Sequence, residues 1–258
     1  MSQATVDVSA LIGAYPFREL PHPDPGTLIG VLDREEIARA WVGHLPSAFH
    51  RDPRKGNESL YRDLVPHRSR LDPVPAVRAD WPGWERELAR AVDEGAVAIR
   101  AYPAQWGLVP EHPALVDLAR ACARAGLPIV LTVRFEDSRQ RHAIDVAGDL
   151  PAATVRALAR AGTQARIVLT AAGRSMIEEI HWGLTPFERD LVWYDTSWIW
   201  GPPEDDFAQL LRTVGPGRFV FGTGWPFRLA QVSRANLALL PPDLWGIRLS
   251  DPSSWKPV

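Results

Sequence analysis

The chain has 258 residues and a formal net charge of −2, with 46% hydrophobic and 23% charged residues. That balance is ordinary for a globular protein able to bury about three quarters of its unfolded surface. It argues against a strongly basic nucleic-acid binder or a polybasic membrane binder. The lone cysteine, Cys122, leaves no intrachain disulfide, cysteine zinc cage or iron–sulfur cluster. No apolar run approaches the ~20 residues of a membrane span. The opening MSQATVDVSA lacks the basic and long apolar stretches of a secretory signal, so a cytoplasmic protein is expected. The only lysines are Lys55 and Lys256, which leaves none mid-chain for Schiff-base chemistry.

Short apolar runs alternate with helical patterns along the whole length. The expected strands are Thr5–Val8, Ala40–Gly43, Val74–Val77, Ala96–Arg100, Ile129–Val133, Arg166–Leu169, Leu191–Tyr194 and Arg218–Phe221. Each reads as a parallel strand covered on both faces. Asp24-Pro25 is an N-cap followed by a first-turn proline, and Asn57 is a second N-cap candidate. Leu115, Leu118, Ala119 and Cys122 repeat at helical spacing before Gly126. Gly162 follows the helix of Val155 and Leu158, and Gly215 closes that of Phe207, Leu210, Leu211 and Val214. No linker or low-complexity tract marks a boundary, so residues 1–258 are expected to form a single domain. Eight alternations point to a (β/α)₈ TIM barrel of the α/β class. An open doubly wound sheet is the runner-up, but its glycine-rich fingerprint and a Walker A sequence are both missing.

In such a barrel, function gathers where strands end and the following loops begin. Those ends carry Ser9 and Leu11, His44, Arg78, Arg100 and Tyr102, Thr132 and Arg134, Thr170 and Ala171, Asp195 and Ser197, then Thr223, Gly224 and Trp225. Here the chain resembles the amidohydrolase superfamily, in its decarboxylase-like branch, amidohydrolase family 2. VDVSALIGAYPF resembles that branch's (I/V)DxHxHxG…P opening, GLPIVLT its GLPVxxH, RIVLTAAG its xxxxAHxG, and FGTGWPF its FG(S/T)D(W/Y)P. The resemblance implies the same barrel and a divalent metal held by two histidines of the first strand, histidines after the fifth and sixth, and an aspartate after the eighth. At those positions this chain has Ser9, Leu11, Thr132, Ala171 and Gly224, none a normal metal ligand. A divergent member without the metal is therefore expected, and no cofactor is assigned. Glu136, Asp137 and His142 are the one grouping that could hold a relocated metal.

Arg78, Arg100 and Arg134 end the third, fourth and fifth strands. Aimed inward, they would hold a carboxylate or phosphate through charge-assisted hydrogen bonds. Balanced by Glu136, Asp137 and Asp195, they would instead form an internal network. For proton transfer the candidates are Asp137, Glu136 and Asp195, with His50 on the second loop placed to fold over the mouth. A carboxylate beside arginines stays ionised, which suits a weak base. Tyr102, Trp106, Trp198, Trp200 and Trp225 crowd the same end and favour a flat ligand. Tyr15 and Arg18 could close the mouth from the other side. The expected function is a metal-independent hydrolase or decarboxylase-like lyase acting on a small anionic, ring-bearing or other, carboxylate or lactone. Two alternatives stand beside it: a non-catalytic binder of a small anion or partner, and a metal enzyme with a relocated site. A homo-oligomer is left open.

Overall fold

The apolar runs form eight parallel strands because each is buried on both faces and its backbone groups find partners on both sides. In the computed structural model, which describes residues 5–21 and 23–255, these are β1 (Val6–Ile12), β2 (Arg39–His44), β3 (Leu71–Pro73), β4 (Ile99–Ala101), β5 (Ile129–Thr132), β6 (Ile167–Thr170), β7 (Val192–Asp195) and β8 (Phe219–Val220). Helices α1 (Pro25–Arg34), α2 (Arg54–Leu64), α3 (Trp84–Asp93), α4 (Pro113–Arg124), α5 (Ala152–Arg160), α6 (Arg174–Trp182), α7 (Pro186–Arg189), α8 (Asp206–Thr213) and α9 (Ala230–Ala238) alternate with them.

The strands fall in order β1-β2-β3 and β4-β5-β6-β7-β8, all parallel. Backbone hydrogen bonds cross both seams. Val8 N–H donates to Phe221 O (3.0 Å) and Leu11 N–H to Trp225 O (2.9 Å), while Arg100 N–H donates to Pro75 O (2.9 Å) and Val77 N–H to Arg100 O (3.0 Å). The sheet thus curls into the expected TIM barrel. Val8, Val74, Ala98, Val130, Val168 and Val220, one from each of six strand segments, cluster as the apolar layer at its lower end.

Capping follows the sequence. Asp24 accepts from Thr27 N–H at 2.9 Å, and Pro25 occupies the first turn. Gly126, Gly162 and Gly215 take φ of 71°, 66° and 93°, a left-handed conformation that lets the chain leave a helix without a Cβ penalty. Two expectations are corrected. The third strand pairs with β2 over Leu71–Pro73, earlier than Val74–Val77, which instead bridges to β4 through Ala76 and Arg100. Pro73 and Pro75 lack the N–H groups that a continuous ladder would need, so the segment changes partner midway. Asn57 is no cap. It lies inside α2, fully buried, with its amide donating to Ala76 O (2.8 Å) and Glu87 Oε1 (2.7 Å) and accepting from Ala76 N–H (2.9 Å).

Asn57 therefore ties α2 to the β3–β4 seam and to α3. Asn57→Ala would orphan a buried N–H, a carbonyl and a carboxylate oxygen. It is expected to cost about 2–4 kcal/mol in urea unfolding; a loss below about 1 kcal/mol would show that the seam holds without this side chain.

Candidate functional site

The first strand sets the geometry of the barrel mouth. Its pairing with β2 shifts between Asp7 and Ala10, so one extra residue sits on β1. Such a bulge reverses which side chains face inward. Below it Val8 joins the interior layer; above it Ser9 and Leu11 line the mouth, while Ala10 and Ile12 pack outward against α1. Asp7, fully buried, accepts from Ser9 N–H (3.0 Å), Thr223 N–H (3.0 Å) and Thr223 Oγ1 (2.5 Å). Burial pushes its carboxyl above the usual range, and these bonds oppose that shift. Asp7 thereby clasps β1 to the loop after β8.

Above the valine layer lies a cavity of about 20 Å³, room for a water or two. Its wall includes Ser9, Leu11, Thr132, Ala171 and Gly224, so the five positions singled out in the sequence converge on one place. The residues there do not fit a divalent metal. Leucine, alanine and glycine bring no side-chain donor. Ser9 Oγ already accepts from Gly224 N–H (2.9 Å), and Thr132 Oγ1 accepts from Arg100 Nη1 (3.1 Å) and Thr170 Oγ1 (3.1 Å). A guanidinium, Arg100, lines the same wall. Among the described residues, no group of three or more His, Cys, Asp or Glu side chains is placed to hold a metal.

Arg100 is only 1% exposed. Besides Thr132, it donates from Nη2 to Val8 O (3.3 Å). Among the described residues no carboxylate pairs with it, and its Nε has no partner. Gly43 makes the space: a Cβ there would stand 2.9 Å from Arg100 Nε and 2.9 Å from Leu11 Cδ2. Arg134 also lines the cavity, but its Nη2 is engaged by Asp149 at 2.7 Å. A third guanidinium, Arg228, was not anticipated from the sequence, because it lies three residues beyond the last strand-end position, Trp225. It too lines the cavity, has no carboxylate partner among the described residues, and stacks on Trp198 (4.8 Å) and Trp200 (4.7 Å). Desolvation lowers its pKa, partly opposed by Asp195. The Nε atoms of Arg100, Arg134 and Arg228 are all buried and unpartnered.

Asp195 ends β7 beneath this wall, fully buried, with Oδ1 accepting from Ala171 N–H (2.9 Å) and Oδ2 without a well-formed bond. Burial raises its pKa to about 6, offset in part by the hydroxyls of Ser197 and Ser9 and the Ala171 amide. Gly222 permits this crowding, since a Cβ there would lie 2.5 Å from Asp195 Oδ2 and 2.6 Å from Ser9 Oγ.

The other expected site residues lie elsewhere. Arg78 pairs with Asp80 (2.9 Å) and leans on Trp106 (5.6 Å), in a shallow surface depression with Trp81 and Glu87. Asp137 is at the surface, held by Arg139 (2.9 Å), whose hydrogen bonds lower its pKa to about 2. His50 is exposed, 6.3 Å between ring centroids from His44. His44, half-buried beside Ser47, has its pKa lowered to about 4 by burial and then by His50. Glu136 is buried, with both oxygens committed: Oε2 to Tyr15 OH (3.0 Å) and Oε1 to Arg18 Nε (2.5 Å). It therefore does not gather with Asp137 and His142, whose ring stacks on Phe17 (5.8 Å). Trp198 lines the cavity; Tyr102 packs behind it on Phe135 (5.8 Å), and Trp225 belongs to the outer core with Ile12 and Leu28. His22 lies outside the described residues.

Comparison with known proteins bears on this barrel. Residues 47–244 match the Amidohydro_2 family model, described as amidohydrolase. No curated protein matches. The structure resembles 2,6-dihydroxybenzoate decarboxylase from Rhizobium (15% identity, TM-score 0.69, covering 98% of this chain and 96% of that one). It also resembles dihydroxybenzoic acid decarboxylase from Polaromonas sp. JS666, with bound manganese and 2-nitroresorcinol (13%, 0.67, 98% and 94%). A third match is a probable 2-pyrone-4,6-dicarboxylic acid hydrolase from Acinetobacter baumannii, with citric acid bound (12%, 0.60, 87% and 85%). At these identities the likeness shows the fold.

The raised pKa of Asp195 has a thermodynamic consequence. Between pH ~4 and ~6 the native carboxyl keeps its proton while the unfolded one loses it, so its contribution to stability falls as pH rises through that window. Asp195→Asn is isosteric and free of this penalty. Its stability relative to wild type should increase from pH 4 to pH 7.5 by on the order of 2–3 kcal/mol, read from denaturant midpoints. A difference that does not change with pH would mean that the buried carboxyl is not held near neutral.

Proposed function

Because the chain belongs to the amidohydrolase family, we propose that it is a metal-independent hydrolase or carbon–carbon lyase that holds a small carboxylate or lactone on Arg100, Arg134 and Arg228. The observation that carries this reading is Arg100: a buried cation, without a carboxylate partner among the described residues, lining a cavity whose two other guanidiniums also keep a free Nε. Burying a charge unpaired is costly, and an anion entering the cavity removes that cost. Arg134 and Arg228 would grip the same group from the rim, with Trp198 as their shared stacking surface (5.6 and 4.8 Å).

Asp195 supplies the proton chemistry through Ser9 and Ser197, which do line the cavity. In decarboxylation the bond to the carboxyl carbon breaks, carbon dioxide leaves, and the remaining carbon takes a proton. A carboxyl titrating near 6 can give that proton by way of Ser197. In hydrolysis the ionised form instead takes a proton from water as the water oxygen adds to the carbonyl carbon, and returns it to the leaving oxygen as the bond to that oxygen breaks. The ligand on this reading is a small organic molecule, with neither nucleic acid nor membrane as partner, and the barrel is cytoplasmic. No described helix is long and apolar enough to cross a membrane.

A second reading, a non-catalytic binder of a small anion, draws support from one fact: none of the residues lining the cavity is a carboxylate or an imidazole. Asp195→Asn separates the two. Abolished turnover with ligand affinity within about twofold fits the enzyme; a ligand that binds wild type without any turnover fits the binder.

Protein purified without chelator or affinity metal should contain well under one equivalent of zinc, manganese or iron by elemental analysis, and Arg228→Gln should weaken carboxylate binding about tenfold or more. Asp137→Asn, at the surface, should change neither binding nor turnover. Stoichiometric metal, or carboxylate binding indifferent to Arg228, would overturn the proposal.

A further inference from the structure

The cavity is charged for an anion but small. Its volume of about 20 Å³ compares with the ~150 Å³ of an engineered cavity that accepts benzene. The space a ring would take is filled by the chain's own rings. Phe135, Phe227 and Trp198 line the cavity, and Tyr15 packs on the two phenylalanines, edge-on to Phe227 (4.8 Å, 88°) and tilted to Phe135 (6.2 Å). Phe49 joins the same aromatic cluster, 5.7 Å from Tyr15 and 5.4 Å from Phe135.

The segment carrying Tyr15 is held at three points. Glu136 takes a hydrogen bond from Tyr15 and an ion pair from Arg18, and Phe17 stacks on His142 with 14° between the rings. Moving it aside would expose the buried Glu136 oxygens and break several aromatic contacts, each worth about 0.5–1.5 kcal/mol beyond its area. A ligand that fits beneath it avoids that cost.

We infer that the pocket takes a short acyclic carboxylate of about three to five heavy atoms, the size of formate to propionate, and that Tyr15, Phe135 and Phe227 exclude aromatic acids. This rests on the reading of the guanidinium cluster as a carboxylate site. It sets the chain apart from the dihydroxybenzoate decarboxylases that share its fold.

The test is calorimetric titration of the full chain with formate, acetate, propionate, benzoate and 2,6-dihydroxybenzoate at constant ionic strength. Acetate or propionate should bind wild type about tenfold or more tighter than either aromatic acid. Phe227→Ala, which removes a ring from the wall, should reverse or erase that preference; should this variant not fold, the wild-type ranking alone decides. Aromatic acids binding wild type as tightly as acetate would overturn the size limit while leaving the carboxylate site standing. Binding of none of the five would instead overturn the carboxylate site itself.

Discussion

A positive charge that the fold buries without a carboxylate partner among the described residues is the constraint on which the rest of this site depends. Arg100 stands on β4 facing the cavity, almost wholly buried, and among the described residues the neutral groups Thr132 Oγ1 and Val8 O receive its protons. A guanidinium cannot shed its charge as a lysine can. The surroundings must therefore tolerate it or await an anion. Gly43 gives it room, and the Thr132–Thr170 hydroxyl pair orients it. The same charge bears on the metal question, because a fixed cation in the wall of a site opposes a divalent ion there by simple repulsion.

The neighbouring acids divide the remaining work. Asp7 closes the ring between β1 and β8, every bond it makes going to Ser9 or Thr223. Asp195 is less satisfied, and its raised pKa leaves it neutral part of the time near pH 6. Glu136 is spent on the segment over the mouth. Two of these carboxylates lie on strands and Glu136 in the loop after β5, yet they clasp, hold a proton and anchor the Tyr15 segment. Their environments, rather than their residue type, set those differences.

Much of the architecture was legible in the chain because burial on both strand faces leaves continuous apolar runs, and because Asp24, Gly126, Gly162 and Gly215 punctuate helices by local chemistry. What failed did so for nonlocal reasons. Pro73 and Pro75 moved the third strand earlier, which carried Arg78 away from the mouth. Ser9 and Leu11 do line the mouth as their place at the end of the first strand predicts, but the extra residue in β1 that lets both Val8 and Ser9 face inward is set by pairing with β2 and has no signature in composition. Asn57 reads as a cap by type, but its partners Ala76 and Glu87 are brought to it only by the closed barrel. Of the residues singled out near the strand ends, Arg100, Arg134 and Trp198 line the cavity, and Asp195 lies buried behind it. The density of charge around Asp137 misled, since adjacent arginines satisfy it at the surface, and Arg228 was missed because a loop returns it to the cavity.

The central claim is that the barrel mouth is an anion site built on Arg100 in place of a metal centre. Crystals grown with sodium bromide, with diffraction recorded at the bromine, zinc and manganese absorption edges, address it in one measurement. A bromide peak among Arg100, Arg134 and Arg228, with no metal signal in the barrel, is the result expected. A zinc or manganese peak beside Ser9 and Thr132 would contradict it.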